Sequence, residues 1–163
     1  FFWRHCHEEG ECKVHSFTYL NLVGDGFHNF LDGMMIAASY MVSVQVGIVT
    51  TLAVIFHEIP QEFGDFGVLI YGGFSRSRAL FFNFISALTA MVGALVGYFI
   101  ASTQSGFSSV ILPLTAGGFI YIATSDLIPE IHKERDLKRS NLAFVAFLCG
   151  IGFMAGTKLF LKF

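Results

Sequence analysis

Charge is what this sequence has least of. Lys, Arg, Asp and Glu together make up 13% of its 163 residues, about half of the roughly 25% usual in soluble domains. Hydrophobic residues fill 54% of the chain, and 20 residues are Phe. So few charges cannot cover so much apolar surface in water, which argues against a soluble enzyme and against a disordered chain. The net charge of −2 offers no basic excess for phosphate contacts, so nucleic acid is excluded as a partner. Three Cys without regular spacing exclude a disulfide framework. Internal repeats and low-complexity tracts are also missing. The chain opens on Phe1-Phe2-Trp3, which reads as the end of an apolar segment already under way. The expectation is a fragment of a longer protein, with no signal-peptide pattern at its start.

What the chain has is five apolar stretches, at about 20–44, 46–71, 79–101, 110–131 and 142–161, after a polar segment over 1–19. Each holds 20 or more residues, and about 20 helical residues cross a bilayer core. Helices buried in a soluble bundle would show polar outer faces, and these mostly do not. Membrane β-strands would be half as long and would alternate. The fold expected is all-α: a polytopic membrane bundle with five transmembrane helices and the lipid bilayer as its partner. Gly93 with Gly97, and Gly152 with Gly156, stand at GxxxG spacing. They mark either close helix packing or simply the Gly-richness of membrane helices.

The polar joints set an orientation. Arg4, Lys13, Arg76, Arg78, Lys133, Arg135, Lys138 and Arg139 fall on one side, and only Lys158 and Lys162 belong to the other. By the positive-inside rule the first side is cytoplasmic. The segment before the first helix is then cytosolic, and the end of the chain lies on the outer or lumenal side. The specific membrane, plasma, inner or organellar, is not encoded in such a pattern.

Polar residues at membrane depth are costly and mark functional candidates. The first stretch carries Asp25, His28, Asn29 and Asp32; the second carries His57, Glu58, Gln61, Glu62 and Asp65. At about 100° per residue, Asp25, His28 and Asp32 share an arc of roughly 60°. His28 and Asp32 are four residues apart, as are His57 and Gln61, so each pair stacks on one helix face. At about 1.5 Å per residue, both clusters fall near the middle of a ~30 Å core, where antiparallel neighbours can turn them toward each other. Imidazole mixed with carboxylate suits a divalent transition metal, zinc above all; oxygens alone would suit calcium or magnesium. A buried polar network that fixes helix packing is the alternative. Pro60 inside the second stretch frees the carbonyl of Phe56, which a membrane tolerates against another helix or a water-lined path. Pro129 does the same between Asp126 and Glu130, a pair that either extends a cytosol-ward path from Asp25 and Asp65 or caps a helix end.

These residues resemble a known family. Gly24-Asp25-Gly26-Phe27-His28-Asn29-Phe30-Leu31-Asp32-Gly33, followed by His57-Glu58-Ile59-Pro60-Gln61-Glu62-Phe63-Gly64-Asp65-Phe66, is similar to the ZIP (Zrt/Irt-like) metal transporters, in their LIV-type branch. Asn83–Ala90 and Ser125–Glu130 resemble that branch too. The resemblance implies the C-terminal five helices of an eight-helix transporter, a homodimer, and alternating access by an elevator-like motion. It implies Zn2+ as the transported ion, with Fe2+, Mn2+ or Cd2+ also suited, and no cofactor. Carried over by position, His28, Asp32, His57 and Gln61 form a main metal site. Asn29, the shared Asp32 and Glu58 line a second. Ala90 aligns with a Glu that completes the second site in some members. Asp25, Glu62, Asp65, Asp126 and Glu130 are left as path or secondary residues. The segment with His5, Cys6, His7, Cys12 and His15 among Glu8, Glu9 and Glu11 corresponds to a joint thought to capture metal, or is a solvated loop.

Two other functions stand beside transport. His57-Glu58-x-x-Gln61 is one residue away from the HExxH of a zinc hydrolase, here set in a membrane. A non-transporting metal sensor would bind without flux. The charge asymmetry is directly testable in the full-length protein. A Cys placed at Arg76 or Arg139 should react with a membrane-impermeant thiol reagent only from the cytoplasmic side, and one at Ser105 only from the opposite side. The reverse pattern would invert the topology.

Overall fold

A computed structural model of the chain describes residues 14–122, 124–125, 128–129 and 136–161. It is an all-α bundle with no strand among the described residues. The elements are α1 (Ser16–Val42), α2 (Val44–Tyr71), α3 (Arg76–Ala87), α4 (Thr89–Thr103), α5 (Phe107–Ile122) and α6 (Leu137–Leu161). α1 and α2 hold 27 and 28 residues, so each is roughly 40 Å long and exceeds a ~30 Å hydrocarbon core. Val44–Tyr71, the α3–α4 run Arg76–Thr103 and Leu137–Gly156 are long and apolar enough to cross a membrane. α1 carries the polar face and falls outside that set. Large apolar side chains such as Leu20, Phe63, Leu95 and Val110 are exposed, as lipid-facing surfaces are.

The link between α1 and α2 is a single residue. Ser43 is extended, at φ −166° and ψ 158°. Its N–H bonds Ser39 O at 3.2 Å, and its Oγ accepts from Val46 N at 3.1 Å. One serine thus ends one helix and caps the next, which forces the two helices into an antiparallel pair. Just inside this turn Gly47 lies under the Tyr40 ring, where any Cβ would overlap it.

The opposite end is closed by a second device. Gly73 has φ 100°, a conformation that favours glycine. Phe74 N bonds Leu69 O and Gly73 N bonds Ile70 O, both at 3.0 Å, a Schellman-type ending. His15 N bonds Gly72 O at 3.0 Å, and Thr18 Oγ1 donates to the same oxygen at 3.3 Å. The start of α1 is therefore tied to the end of α2. Leu69, Phe74 and Ala79 form a small core there, with Val14, Leu22, Phe66 and Phe82 against it.

The third apolar stretch divides at Leu88 into α3 and α4. Thr89 Oγ1 reaches Gly26 O at 2.6 Å and Ser86 O at 2.7 Å, which pins the joint onto α1. Beyond it, α1 and α4 approach backbone to backbone. A Cβ at Gly33 would overlap Ala90 O, one at Gly93 would overlap Phe30 O, and one at Gly97 would crowd Met34. Small residues permit this approach, so Gly93 and Gly97 are packing residues. Gly152 and Gly156 face open space among the described residues. α5 joins α1 through Ser108 Oγ, which donates to Ala38 O at 3.1 Å. α6 is capped by Asp136, whose Oδ1 accepts from Lys138 N at 2.7 Å, and it meets α2 through an edge-on contact of Phe56 with Phe153.

The α1–α4 seam carries a prediction. Gly33→Leu or Gly93→Leu forces two backbones apart and should cost about 1–3 kcal/mol or more, as overpacking does. Thermal unfolding of the full-length protein in detergent measures it. Melting temperatures equal to the parent's would contradict the close approach.

Candidate metal centre

The polar faces of α1 and α2 meet across the seam between the two helices. The hairpin sets them side by side in opposite directions, so residues midway along each lie level. His28 Nε2 stands 3.2 Å from His57 Nε2. Asp32 Oδ2 is 2.9 Å from His57 Nε2 and 3.5 Å from His28 Nε2. Glu58 Oε1 is 3.1 Å from His57 Nε2 and 3.3 Å from His28 Nε2. One atom from each of these four side chains lies within 4.8 Å of the other three.

These separations suit a metal. Zinc bonds of about 2.0–2.2 Å to nitrogen and oxygen place tetrahedral ligands about 3.3–3.6 Å apart. Of the five distances above, 3.3 and 3.5 Å fall in that range, and 2.9, 3.1 and 3.2 Å lie just below it. Local geometry also presents the right nitrogen. His57 Nδ1 lies 3.1 Å from Ala53 O. A carbonyl only accepts, so Nδ1 carries the proton and Nε2 offers its lone pair. Asp32 is 2% exposed, and neither its Oδ2 nor Glu58 Oε1 has a hydrogen-bond partner. Buried charged oxygens without a donor are costly, and a cation among them would offset that cost.

The other candidates form a second, oxygen-rich group toward the start of α1 and the end of α2. Asn29 donates to Asp25 Oδ1 at 2.9 Å and to Asp25 O at 3.3 Å. Gln61 Nε2 approaches Asp25 Oδ1 at 3.5 Å. Asn21 donates to Asp65 Oδ1 at 2.8 Å, and Asn83 of α3 bonds the carboxylate of Glu62 and also Glu62 O. A cavity of about 270 Å3 opens among Asn21, Gly24, Asp25, His28, Gln61 and Asp65.

The structure thus groups the six leading candidates in its own way. His28, Asp32 and His57 come together as the sequence pattern implies. Glu58 joins them, whereas Gln61 and Asn29 turn to Asp25. Ala90 lies in the α1–α4 seam, its carbonyl against Gly33 beside Asp32. Asp126 and Glu130 lie outside the described residues, as do His5, Cys6, His7, Glu8, Glu9, Glu11 and Cys12. His15 is described, and its ring stacks on Phe17 rather than reaching the centre. Sequence reasoning assigned no role to Asn21 or Asn83, although each is an amide set among apolar neighbours.

Comparison with known proteins bears on the same residues. The family model described as ZIP Zinc transporter matches residues 4–158. Over 84% of its length the chain is 42% identical to "Zinc transporter zipt-7.2" of Caenorhabditis elegans, of which it covers 30%. It is 40% identical over 84% of its length to "Zinc transporter ZIP13 homolog" of Drosophila melanogaster, covering 39% of that protein. It is 37% identical over 85% of its length to "Zinc transporter YKE4" of Saccharomyces cerevisiae, covering 45%. The chain spans less than half the length of each of these relatives. No solved structure matches it. A match that runs through both polar clusters and nearly all of the sequence shows that the chain belongs to the ZIP zinc transporter family.

Proposed function

We propose that this chain forms the metal-conducting part of a membrane transporter that carries a divalent transition metal, zinc above all, into the cytosol. The observation that carries this reading is the convergence of His28 Nε2, His57 Nε2, Asp32 Oδ2 and Glu58 Oε1 on one point between two helices of membrane-spanning length. A hydrated ion cannot enter hydrocarbon, so protein ligands must replace its water near the bilayer midplane. Two borderline nitrogens and two oxygens suit zinc, and also accommodate Fe2+, Mn2+ or Cd2+. The names of the relatives support zinc.

Release follows from the same layout. Asp25, Glu62 and Asp65 lie one to two helical turns from the centre, toward the end that the positive residues place in the cytosol. Gln61, at the boundary between the two groups, can swing its amide oxygen toward an ion leaving the imidazoles. Alternating access, by movement of the helices carrying the site, would expose the ion to each side in turn.

The hydrolase reading fares worse on geometry. A general-base Glu must leave its carboxylate free to take a proton from metal-bound water, yet Glu58 Oε1 stands among the ligand atoms. The site also has Gln61 where that motif needs a second His.

Two measurements test the proposal. In the full-length protein in proteoliposomes, His57→Ala or Asp32→Ala should abolish zinc flux and weaken zinc binding by roughly tenfold to a hundredfold or more, since even outer-shell partners are worth that much. Ser39→Ala should be nearly silent, because that buried hydroxyl makes no hydrogen bond. Normal flux in both ligand variants at normal expression would make the cluster structural.

The second measurement is calorimetry with zinc as a function of pH. Bound imidazole must be neutral, so protons compete with the metal. Affinity should fall as pH drops through the ordinary imidazole range near 6.5, with one tight ion and at most one weak one. Binding indifferent to pH between about 5 and 7 would exclude the two histidines as ligands.

A further inference from the structure

Arg78 stands at the start of α3, at the end of the bundle that the positive residues place in the cytosol. Its guanidinium lies over the Phe74 ring, 4.4 Å from the centroid, and 5.6 Å from the centroid of Phe82. Its Nη2 donates to the Tyr19 hydroxyl at 3.4 Å. Most arginines at a membrane surface are free to extend toward water. Cation–π contact and a phenol hold this one in place, and Phe74 beneath it is buried. Arg78 is nevertheless exposed, as is Arg76, and neither forms an ion pair among the described residues. Tyr19 takes one of the five N–H groups of a guanidinium, whose planar fork matches the oxygens of a phosphate.

An apolar groove runs from this cation toward the bilayer interior. Ser86 Oγ donates to Leu22 O at 3.4 Å and Thr89 Oγ1 to Gly26 O at 2.6 Å, so α1 and α3 run in the same direction, with Gly26 facing Ser86. At about 100° per residue, Tyr19, Val23 and Phe27 lie roughly 20–100° round α1 from Gly26. Arg78, Ile85 and Phe81 lie roughly 80–140° round α3 from Ser86, in the opposite sense. For parallel neighbours, opposite senses mean the same outer flank, and the Arg78–Tyr19 bond bridges it. Val23, Phe27, Phe81 and Ile85 are all exposed there. From Tyr19 to Phe27 the groove extends about 12 Å along α1.

We propose that this flank seats one anionic phospholipid of the cytoplasmic leaflet. Its phosphate sits on Arg78, with Arg76 as a second positive charge, and one acyl chain lies in the groove between α1 and α3. Two exposed arginines without ion pairs call for an anion. Apolar walls that continue from the cation call for a chain joined to that anion, which soluble phosphate lacks. Tyr19 stands where the two meet, at the level where amphipathic rings border the headgroups. Anionic lipids are a feature of the cytoplasmic leaflet and attract basic residues beside membrane helices. The proposal depends on the orientation of the bundle and not on the metal centre.

Native mass spectrometry of the full-length protein tests this. The protein, purified in detergent, is incubated with equal amounts of dioleoyl phosphatidylglycerol and dioleoyl phosphatidylcholine, which share their chains and differ in headgroup charge. The parent should retain the anionic lipid in preference, by about fivefold or more for an arginine facing its headgroup. Arg78→Gln should lower that preference by a similar factor. Val23→Trp fills the groove at an exposed position without touching the guanidinium, and should lower retention of phosphatidylglycerol as well; it serves alone if Arg78→Gln does not fold. Equal retention of the two lipids by the parent would overturn the proposal, and so would phosphatidylglycerol retention that neither substitution changes. Displacement of the lipid by millimolar inorganic phosphate would show a site for a free anion instead. Retention of neither lipid would show that other protein surface covers the groove, and would overturn the proposal equally.

Discussion

Two imidazole nitrogens facing each other at 3.2 Å, flanked by two carboxylate oxygens without donors, form the constraint around which this molecule is arranged. Lone pairs and negative charge do not gather in a low-dielectric interior unless something positive holds them together. In the proposed reading a metal ion holds them together, reversibly because the ligands are mixed in strength. The rest of the bundle keeps these four atoms level. The Ser43 turn sets the pairing of α1 with α2 at one end, and the Gly72–Gly73 ending, tied to His15 and Thr18, sets it at the other.

Stiffness and looseness are divided unequally between the helices. α1 is bound tightly along the glycine seam to α4, where backbone meets backbone without intervening side chains. α2 is tied to α1 at its two ends and through polar side chains between them.

The amides give the polar region its gradation. Asn21, Asn29 and Asn83 each donate to a carboxylate, so no carboxylate of the lower group is left wholly without support. The second oxygens of Asp25, Glu62 and Asp65 are buried away from solvent. Imidazole nitrogens mixed with carboxylate oxygens at the centre thus give way to carboxylate and amide oxygens alone one to two turns away.

Periodicity and composition determined a good deal by themselves. Scarce charge and long apolar runs dictate membrane helices, because a backbone in hydrocarbon must satisfy its own hydrogen bonds. The i, i+4 spacing of His28 with Asp32 dictates one shared face, because a helix repeats every 3.6 residues. Tertiary structure decided the rest. Glu58 follows His57 directly, so helical spacing sets it about 100° away, and the family resemblance grouped it with Asn29 and the shared Asp32 instead. Only the approach of α1 to α2 brings Glu58 Oε1 to both imidazoles, since a flexible side chain near a helix–helix seam can reach around it. Asn21 and Asn83 gained their partners in the same way, across 44 and 21 residues of sequence. The break at Leu88 was equally hidden, because both halves are apolar and only contact with α1 at Gly26 distinguishes them. Spacing along one helix is local and legible; which atoms meet between helices depends on packing that no single segment encodes.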